Sequence, residues 1–351
     1  MTVAREQRSY CLRGSVLVGE ELDVRSATIV VEHGKITAIE DECPRAADLW
    51  ICPAFFNAHV HLGDTVAMDF PVAGNLESLV TPPDGLKHRI LVETPRRTIV
   101  AGMITSIDTM IKGGTAGFAD FREGGEDGVM ALREAASGRE CHAVIFGREG
   151  GEYIAEGIGI SSVRDVTLLE DKVAGARAAG RLIAFHAGER DATDIDQALA
   201  FDPDLMVHCT HADDRQLAEC ADREIPIALC PRSNWTLGVA KGPDHPPVKK
   251  MLDLGCNLLL GTDNVMFVQP DMLRELSFFS GIYRVPPEKA LHAAVKGSSC
   301  LYSSFFIEEG NGARLIVIDP SRSNLCCTHD QRRSIVNRVT SMEIVKKVFN
   351  S

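Results

Sequence analysis

Residues 50–65 read WICPAFFNAHVHLGDT, an apolar run that ends in two histidines one residue apart. Such a run predicts a β-strand buried on both faces, as strands of a parallel sheet are. Side chains alternate along an extended strand, so His59 and His61 share one face near its C-terminal end. Two readings stay open at this point: a pair of metal ligands, or two hydrogen-bonded imidazoles capping a strand.

Seven further runs of the same character follow: TAGFADF (115–121), CHAVIFG (141–147), GIGISSV (157–163), RLIAFHA (181–187), DLMVHCT (204–210), IPIALCP (225–231) and CNLLLGT (256–262). Segments with helical periodicity separate them. In TPRRTIVAGMITSIDTMIKGG (94–114), Thr94 and Pro95 form a start signal, Gly113 and Gly114 a stop, and Val100, Met103, Ile104, Ile107 and Ile111 line one face. Residues 164–180, 213–223, 245–255 and 286–305 read as later helices. Strands alternating with helices predict an α/β fold, a (β/α)8 TIM-like barrel over residues 51–309.

The chain ends differ. SVLVGEELDVRSATIVVEHGKITAIED (15–41), GARLIVIDPSRSNL (312–325) and IVNRVTSMEIVKKVF (335–349) alternate as antiparallel strands do. Residues 1–50 and 310–351 are therefore expected to combine into a small β-sandwich-like domain.

The chain has 351 residues, 45% of them hydrophobic, enough for a large core, and its net charge of -12 disfavours a nucleic-acid partner. The start, MTVAREQRSYCLRG, lacks the apolar core of a secretory signal, and no stretch of about 18 apolar residues is present to span a membrane. A cytoplasmic protein without a membrane partner is the expectation. The eleven cysteines form no CxxC pair and read as thiols in a reducing compartment, with adjacent Cys326 and Cys327 a minor redox alternative.

More polar residues end the later strands: His186 the fifth, His208 and His211 the sixth, Asp263 the eighth. Strand ends of a barrel converge on one mouth. An unpaired buried polar atom costs about 1–3 kcal/mol, so a shared metal accounts for these residues better than separate core positions do. His33, His88, His142, His245 and His329 have no partner at metal spacing.

In PAFFNAHVH, HAGE, HCTH, SNWTLG and GTDN the chain resembles the amidohydrolase superfamily, specifically its cytosine deaminase-like branch with the chlorohydrolases and S-adenosylhomocysteine deaminases. Asn57 matches the NxHxH pattern of that branch. The resemblance implies that His59, His61, His186 and Asp263 ligate one divalent ion, zinc before iron or manganese. It also implies that Glu189 faces substrate and that His211 orients the attacking oxygen, with His208 left to a structural role. No lysine ends the fourth run, which argues against a two-metal centre.

Such a centre lowers the pKa of bound water toward neutrality, so hydrolysis follows. Asp263 can take the proton from that water, Glu189 can protonate a ring nitrogen, and His211 can stabilise the developing oxygen. A solvated Glu189 paired with Arg190 is the plainer alternative. The expected reaction is hydrolytic deamination of a small aminated heterocycle, a purine, pyrimidine, pterin or relative. The alternatives are hydrolysis of an amide or a chlorinated ring, and a non-catalytic metal-binding scaffold. Arg122, Arg148, Ser162, Arg232 and Asn234 follow predicted strands and are candidate substrate contacts, although salt bridges to Glu123 or Glu149 compete for the arginines. The loop after the histidine pair, residues 63–88, reads as a cover for substrate, with Val66, Met68 and Phe70 over a flat ring or in the loop's own small core. By resemblance the chain is a possible homo-oligomer.

Overall fold

In the computed structural model, which describes residues 9–43, 49–70, 76–82 and 84–349, Ala54 splits the run beginning at Trp50 into strands of two different sheets. Strands β1 (Tyr10–Val18), β2 (Asp23–Glu32), β3 (Lys35–Asp41) and β4 (Trp50–Pro53) precede it. After it come β5 (Phe55–His61), β6 (Thr115–Arg122), β7 (His142–Gly147), β8 (Gly157–Ile160), β9 (Leu182–Ala187), β10 (Leu205–His208), β11 (Ile227–Leu229), β12 (Leu258–Leu260) and β13 (Asp263–Asn264). Near the C-terminus lie β14 (Arg314–Ile318) and β15 (Ile344–Phe349).

The terminal strands form one six-stranded sheet in the order β15-β14-β4-β1-β2-β3. Alternation places Val16, Ile29, Val31, Ile51, Leu315 and Val317 in a common apolar cluster. His33 and Gly34, both at positive φ, make the two-residue turn between β2 and β3, the geometry that matches the twist of a hairpin. Two expectations are corrected here. Among the described residues the terminal strands make a single sheet rather than a facing pair, and Trp50–Pro53 belongs to it. In addition, residues 335–338 are helical rather than extended, because the Asp330 side chain accepts from the Arg333 N–H at 2.9 Å and starts a helix over Gln331–Arg338.

The remaining strands run parallel in chain order from β5 to β12, an α/β TIM-like barrel. The eighth strand is interrupted: β12 stays on β11, while β13 pairs with β5, Asp263 opposite Val60 and Asn264 opposite His61. Between the pieces, the Gly261 N–H donates to Leu229 O at 2.9 Å and the Thr262 N–H to His59 O at 3.0 Å, which closes the ring. Asn57 secures the closure. Its Nδ2 donates to Thr262 Oγ1 at 2.7 Å and its Oδ1 accepts from the Thr262 N–H at 3.0 Å.

Within the barrel Phe121 and Phe146 stack at 4.7 Å, and a Cβ at Gly159 or Gly157 would overlap their rings. The glycines of GIGI are thus the space those rings occupy. The helix predicted from Thr94 covers Arg96–Lys112, one residue later than its start signal, since Thr94 Oγ1 donates back to Ile90 O. Residues 213–223 give the helix Asp214–Asp222, begun by an Asp213/Gln216 capping box. No helix among the described residues is long and apolar enough to cross a membrane.

A methyl group at Gly261 would lie 2.7 Å from His59 N and 2.8 Å from its Cβ. Gly261→Ala is therefore expected to spread the β5 closure and cost roughly 1–3 kcal/mol, seen as a lowered midpoint in thermal denaturation.

Candidate metal centre

Parallel strands leave their C-terminal ends on one rim, and His59, His61, His186, His208 and Asp263 all stand at such ends. His59 Nε2 lies 3.2 Å from His186 Nε2 and 3.3 Å from Asp263 Oδ1, and His61 Nε2 lies 3.6 Å from the same oxygen. His208 Nε2 is 3.7 Å from Glu189 Oε2 and joins His59 and His186 in one group of ligand atoms. The five groups are buried.

The surroundings select neutral, correctly oriented imidazoles. His186 Nδ1 is 3.0 Å from Ile160 O and His61 Nδ1 3.0 Å from Phe121 O; the carbonyls take the Nδ1 protons and leave each Nε2 lone pair facing the cluster. Burial brings the His59 pKa down to about 4, and burial with the charge of Lys87 brings His61 down to about 3. Burial, reinforced by Arg148, holds His186 well below the usual imidazole range. Burial alone would raise Asp263, but the close histidines, His59 first, outweigh that whenever they hold a proton, and it lies below the usual carboxylate range. Ser233 Oγ donates to Asp263 Oδ2 at 2.6 Å and leaves Oδ1 toward the histidines.

These residues fit a divalent cation. His59 Nε2 stands 3.2 Å from His186 Nε2 and 3.3 Å from Asp263 Oδ1, and His61 Nε2 3.6 Å from that oxygen, with no proton to share between His59 Nε2 and His186 Nε2 once both are neutral acceptors. Ligand atoms about 2.0–2.1 Å from one ion in a tetrahedral arrangement stand about 3.3 Å apart. His208 (φ +73°), Cys209 (φ +47°) and Asp263 (φ +59°) have left-handed backbone, a conformation that non-glycine residues hold only where the surroundings impose it.

His211 is not in this group. Strand β10 ends at His208, the left-handed pair His208 and Cys209 turns the chain away, and the His211 ring packs against His245 at 5.5 Å. Of HCTH the structure brings the first histidine, not the second, to the cluster. Asn234 steadies the turn, its Nδ2 donating to Thr210 Oγ1 at 3.0 Å.

A cleft open to solvent lies over the cluster; Arg148, Ser162, Glu189 and Arg190 are among its lining residues. Burial raises the Glu189 pKa, with His208 opposing. Arg190 pairs with Glu77 at 2.5 Å, so the expected competitor for Glu189 is engaged elsewhere. Three candidate contacts fall outside the lining. Arg122 is buried against Glu123 at 2.8 Å and Asp120 at 3.5 Å, Arg232 is held by Glu275 at 2.5 Å, and Asn234 is buried in its turn. In each case a salt bridge or backbone turn absorbs a polar side chain that sequence position alone assigned to the mouth. Of the loop 63–88, residues 71–75 and 83 lie outside the described residues. Met68 and Phe70 are exposed, and Val80, Thr81, Pro82 and Lys87 face the cleft instead. Ser233 follows the seventh run, where the sequence places residues at the mouth, whereas Lys87 and Asp64 are not singled out by sequence; an apolar run predicts its own end, not which side chain of a following loop or helix turns inward.

The amidohydrolase family model matches residues 50–350. A protein of Methanothermobacter thermautotrophicus named "Putative aminohydrolase" is 33% identical over 95% of each chain. A 5-methylthioadenosine/S-adenosylhomocysteine deaminase of Pelotomaculum thermopropionicum is 26% identical, covering 85% of this chain and 78% of that one. Among solved structures, a zinc-complexed atrazine chlorohydrolase of Arthrobacter aurescens superposes with a TM-score of 0.77 at 16% identity, covering 97% of this chain and 95% of that chain.

The two histidines of HCTH separate experimentally. His208→Ala is expected to weaken zinc binding at least about tenfold in competition with a chromophoric chelator, whereas His211→Ala leaves it within about twofold.

Proposed function

The chain belongs to the amidohydrolase family, and on that premise we propose that it is a hydrolytic deaminase of a small aminated heterocycle, working with one divalent ion per chain. The observation that carries the reading is the placement of Glu189, three residues past His186 and at the edge of the histidine–aspartate group, within 4.8 Å of Asp263 and with His208 Nε2 at 3.7 Å. Deaminase relatives support the substrate class, a purine, pyrimidine, pterin or related ring.

His59, His61, His186 and Asp263 hold the ion, zinc in this reading, although the same donors accept iron or manganese. When bound, the ion supplies Lewis acidity and lowers the pKa of water at the site. Asp263, fixed through Oδ2 by Ser233, accepts the water proton on Oδ1. Glu189, its pKa raised by burial, delivers a proton to the ring nitrogen next to the attacked carbon. His208 takes the role that the sequence assigned to His211, donating to the oxygen that gains charge. A C–O bond forms, the proton held by Asp263 passes to the exocyclic amine, the C–N bond breaks, and the added hydroxyl returns its proton to Glu189, so that ammonia leaves with an oxo-heterocycle as product. Arg148 and Ser162 bind polar edges of the substrate. The same parts suit a chloride leaving group, and assays of released ammonia and chloride separate the two.

We also read the six-stranded sheet as a domain distinct from the barrel, and the cytoplasm as the location. All eleven cysteines are free, which supports a reducing compartment.

Glu189→Gln keeps the shape and removes the proton. Zinc content by atomic emission is expected to stay at the wild-type level, while ammonia release from any heterocycle that the wild type deaminates falls at least about 100-fold. Wild-type turnover by the variant would remove Glu189 from the chemistry.

A further inference from the structure

Behind His61 lies a buried array of charge of which the proposed chemistry uses only Arg148. Asp64, Asp120 and Glu123 face Lys87, Arg122 and Arg148, three acids and three bases drawn from the loop after β5 and the ends of β6 and β7. Gly63 makes room for it, since a Cβ there would overlap the Arg122 guanidinium. Replacing buried ion pairs by apolar residues is often neutral or stabilising, so stability alone does not explain an array of this size.

Its centre is Glu123. Oε1 lies 3.2 Å from His61 Nδ1, 2.9 Å from Lys87 Nζ and 3.1 Å from Arg148 Nη1, and Oε2 accepts from Arg122 Nη2 at 2.8 Å. Arg148 in turn donates from Nε to Gly159 O at 3.0 Å and stands 3.3 Å from His186 Nδ1. One carboxylate thus touches the outward nitrogen of one ligand histidine and, through Arg148, the ring of a second. Lys87 also bonds Asp64 at 2.9 Å and lies 3.3 Å from His61 Nδ1. The Nδ1–H of a neutral His61 is shared between Phe121 O at 3.0 Å and Glu123 Oε1 at 3.2 Å, and Lys87 is a donor too, so Glu123 is the side chain of this set that receives from both.

We infer that Glu123 is the positioning carboxylate of the metal centre, orienting His61, and that Lys87 acts through it, so that docking of the helix Leu86–Glu93 and retention of the ion are one linked event. The inference rests on the metal reading above. Without Lys87, Oε2 keeps Arg122 and Oε1 keeps Arg148 at 3.1 Å, but Oε1 loses its shorter contact, the one at 2.9 Å that also adjoins His61. Carboxylates of this kind contribute about 10–100-fold to metal affinity.

The test uses the full chain, stripped of metal and titrated with zinc against a chromophoric chelator, with thermal denaturation of the metal-free form in parallel. Glu123→Gln, which preserves volume, is expected to weaken zinc affinity about 10–100-fold. Lys87→Met weakens it in the same direction, and the double variant binds no more weakly than the weaker single, because both act on one histidine. Lowered metal-free stability with zinc affinity within about twofold of wild type would mean that the array serves only the fold, and would overturn the inference. Multiplying losses in the double variant would overturn the part assigned to Lys87. If Lys87→Met does not fold, Glu123→Gln decides the role of the carboxylate, and faster hydrogen exchange of residues 84–93 on zinc removal from the wild type decides the linkage; unchanged exchange overturns it. A wild-type chain that binds no zinc overturns the metal reading itself, an outcome distinct from tight binding by the variants.

Discussion

The rest of the molecule depends on the closure of the barrel between its first and eighth strands. The chain breaks ladder pairing at Gly261 and Thr262, moves from β11 to β5, and is fixed there by the Asn57 amide on Thr262. Because Asp263 follows Thr262 directly, that one hydrogen-bonded corner sets Asp263 Oδ1 3.3 Å from His59 Nε2. Asn57 thus serves the site through the backbone, its Oδ1 also accepting from the His59 N–H at 3.4 Å. Glycine at 261 has the same logic, since only a residue without Cβ lets the eighth strand lie against the His59 backbone.

Burial then does the electrostatic work. Removing three imidazoles from water favours their neutral form, which is the form with a free lone pair. In His61 and His186 the backbone carbonyls of Phe121 and Ile160 fix which nitrogen offers it. The carboxylates diverge for the same reason: Asp263, among histidines, is held ionised, whereas Glu189, at the edge of the cluster, is pushed toward its protonated form. Two acids with separated proton affinities in one cleft are the arrangement that acid–base hydrolysis needs.

Much of this was legible in the sequence. Eight apolar runs gave eight parallel barrel positions, because a strand covered on both faces has no polar face to hide the pattern. The HxH pair, His186 and Asp263 were readable because each is a polar residue terminating such a run. The pattern failed where its information ends. HCTH offers two histidines three residues apart, and which one faces inward depends on the backbone turn at His208 and Cys209, whose positive φ no composition encodes. Arg122 and Arg232 stand at strand ends as the site residues do, but both are satisfied by acids distant or adjacent in sequence, Glu275 and Glu123. Helix Gln331–Arg338 carries apolar residues that fit either periodicity, and the Asp330 cap decided it.

The central claim is that His59, His61, His186 and Asp263 hold one ion. X-ray absorption at the zinc edge on the purified chain tests it most directly. One zinc per chain in a nitrogen and oxygen shell at about 2.0–2.1 Å, with the outer-shell scattering of three imidazoles that is lost on His59→Ala, is the result expected. A sulfur shell at about 2.3 Å, or an imidazole signal that survives removal of His59, would place the metal elsewhere and contradict it.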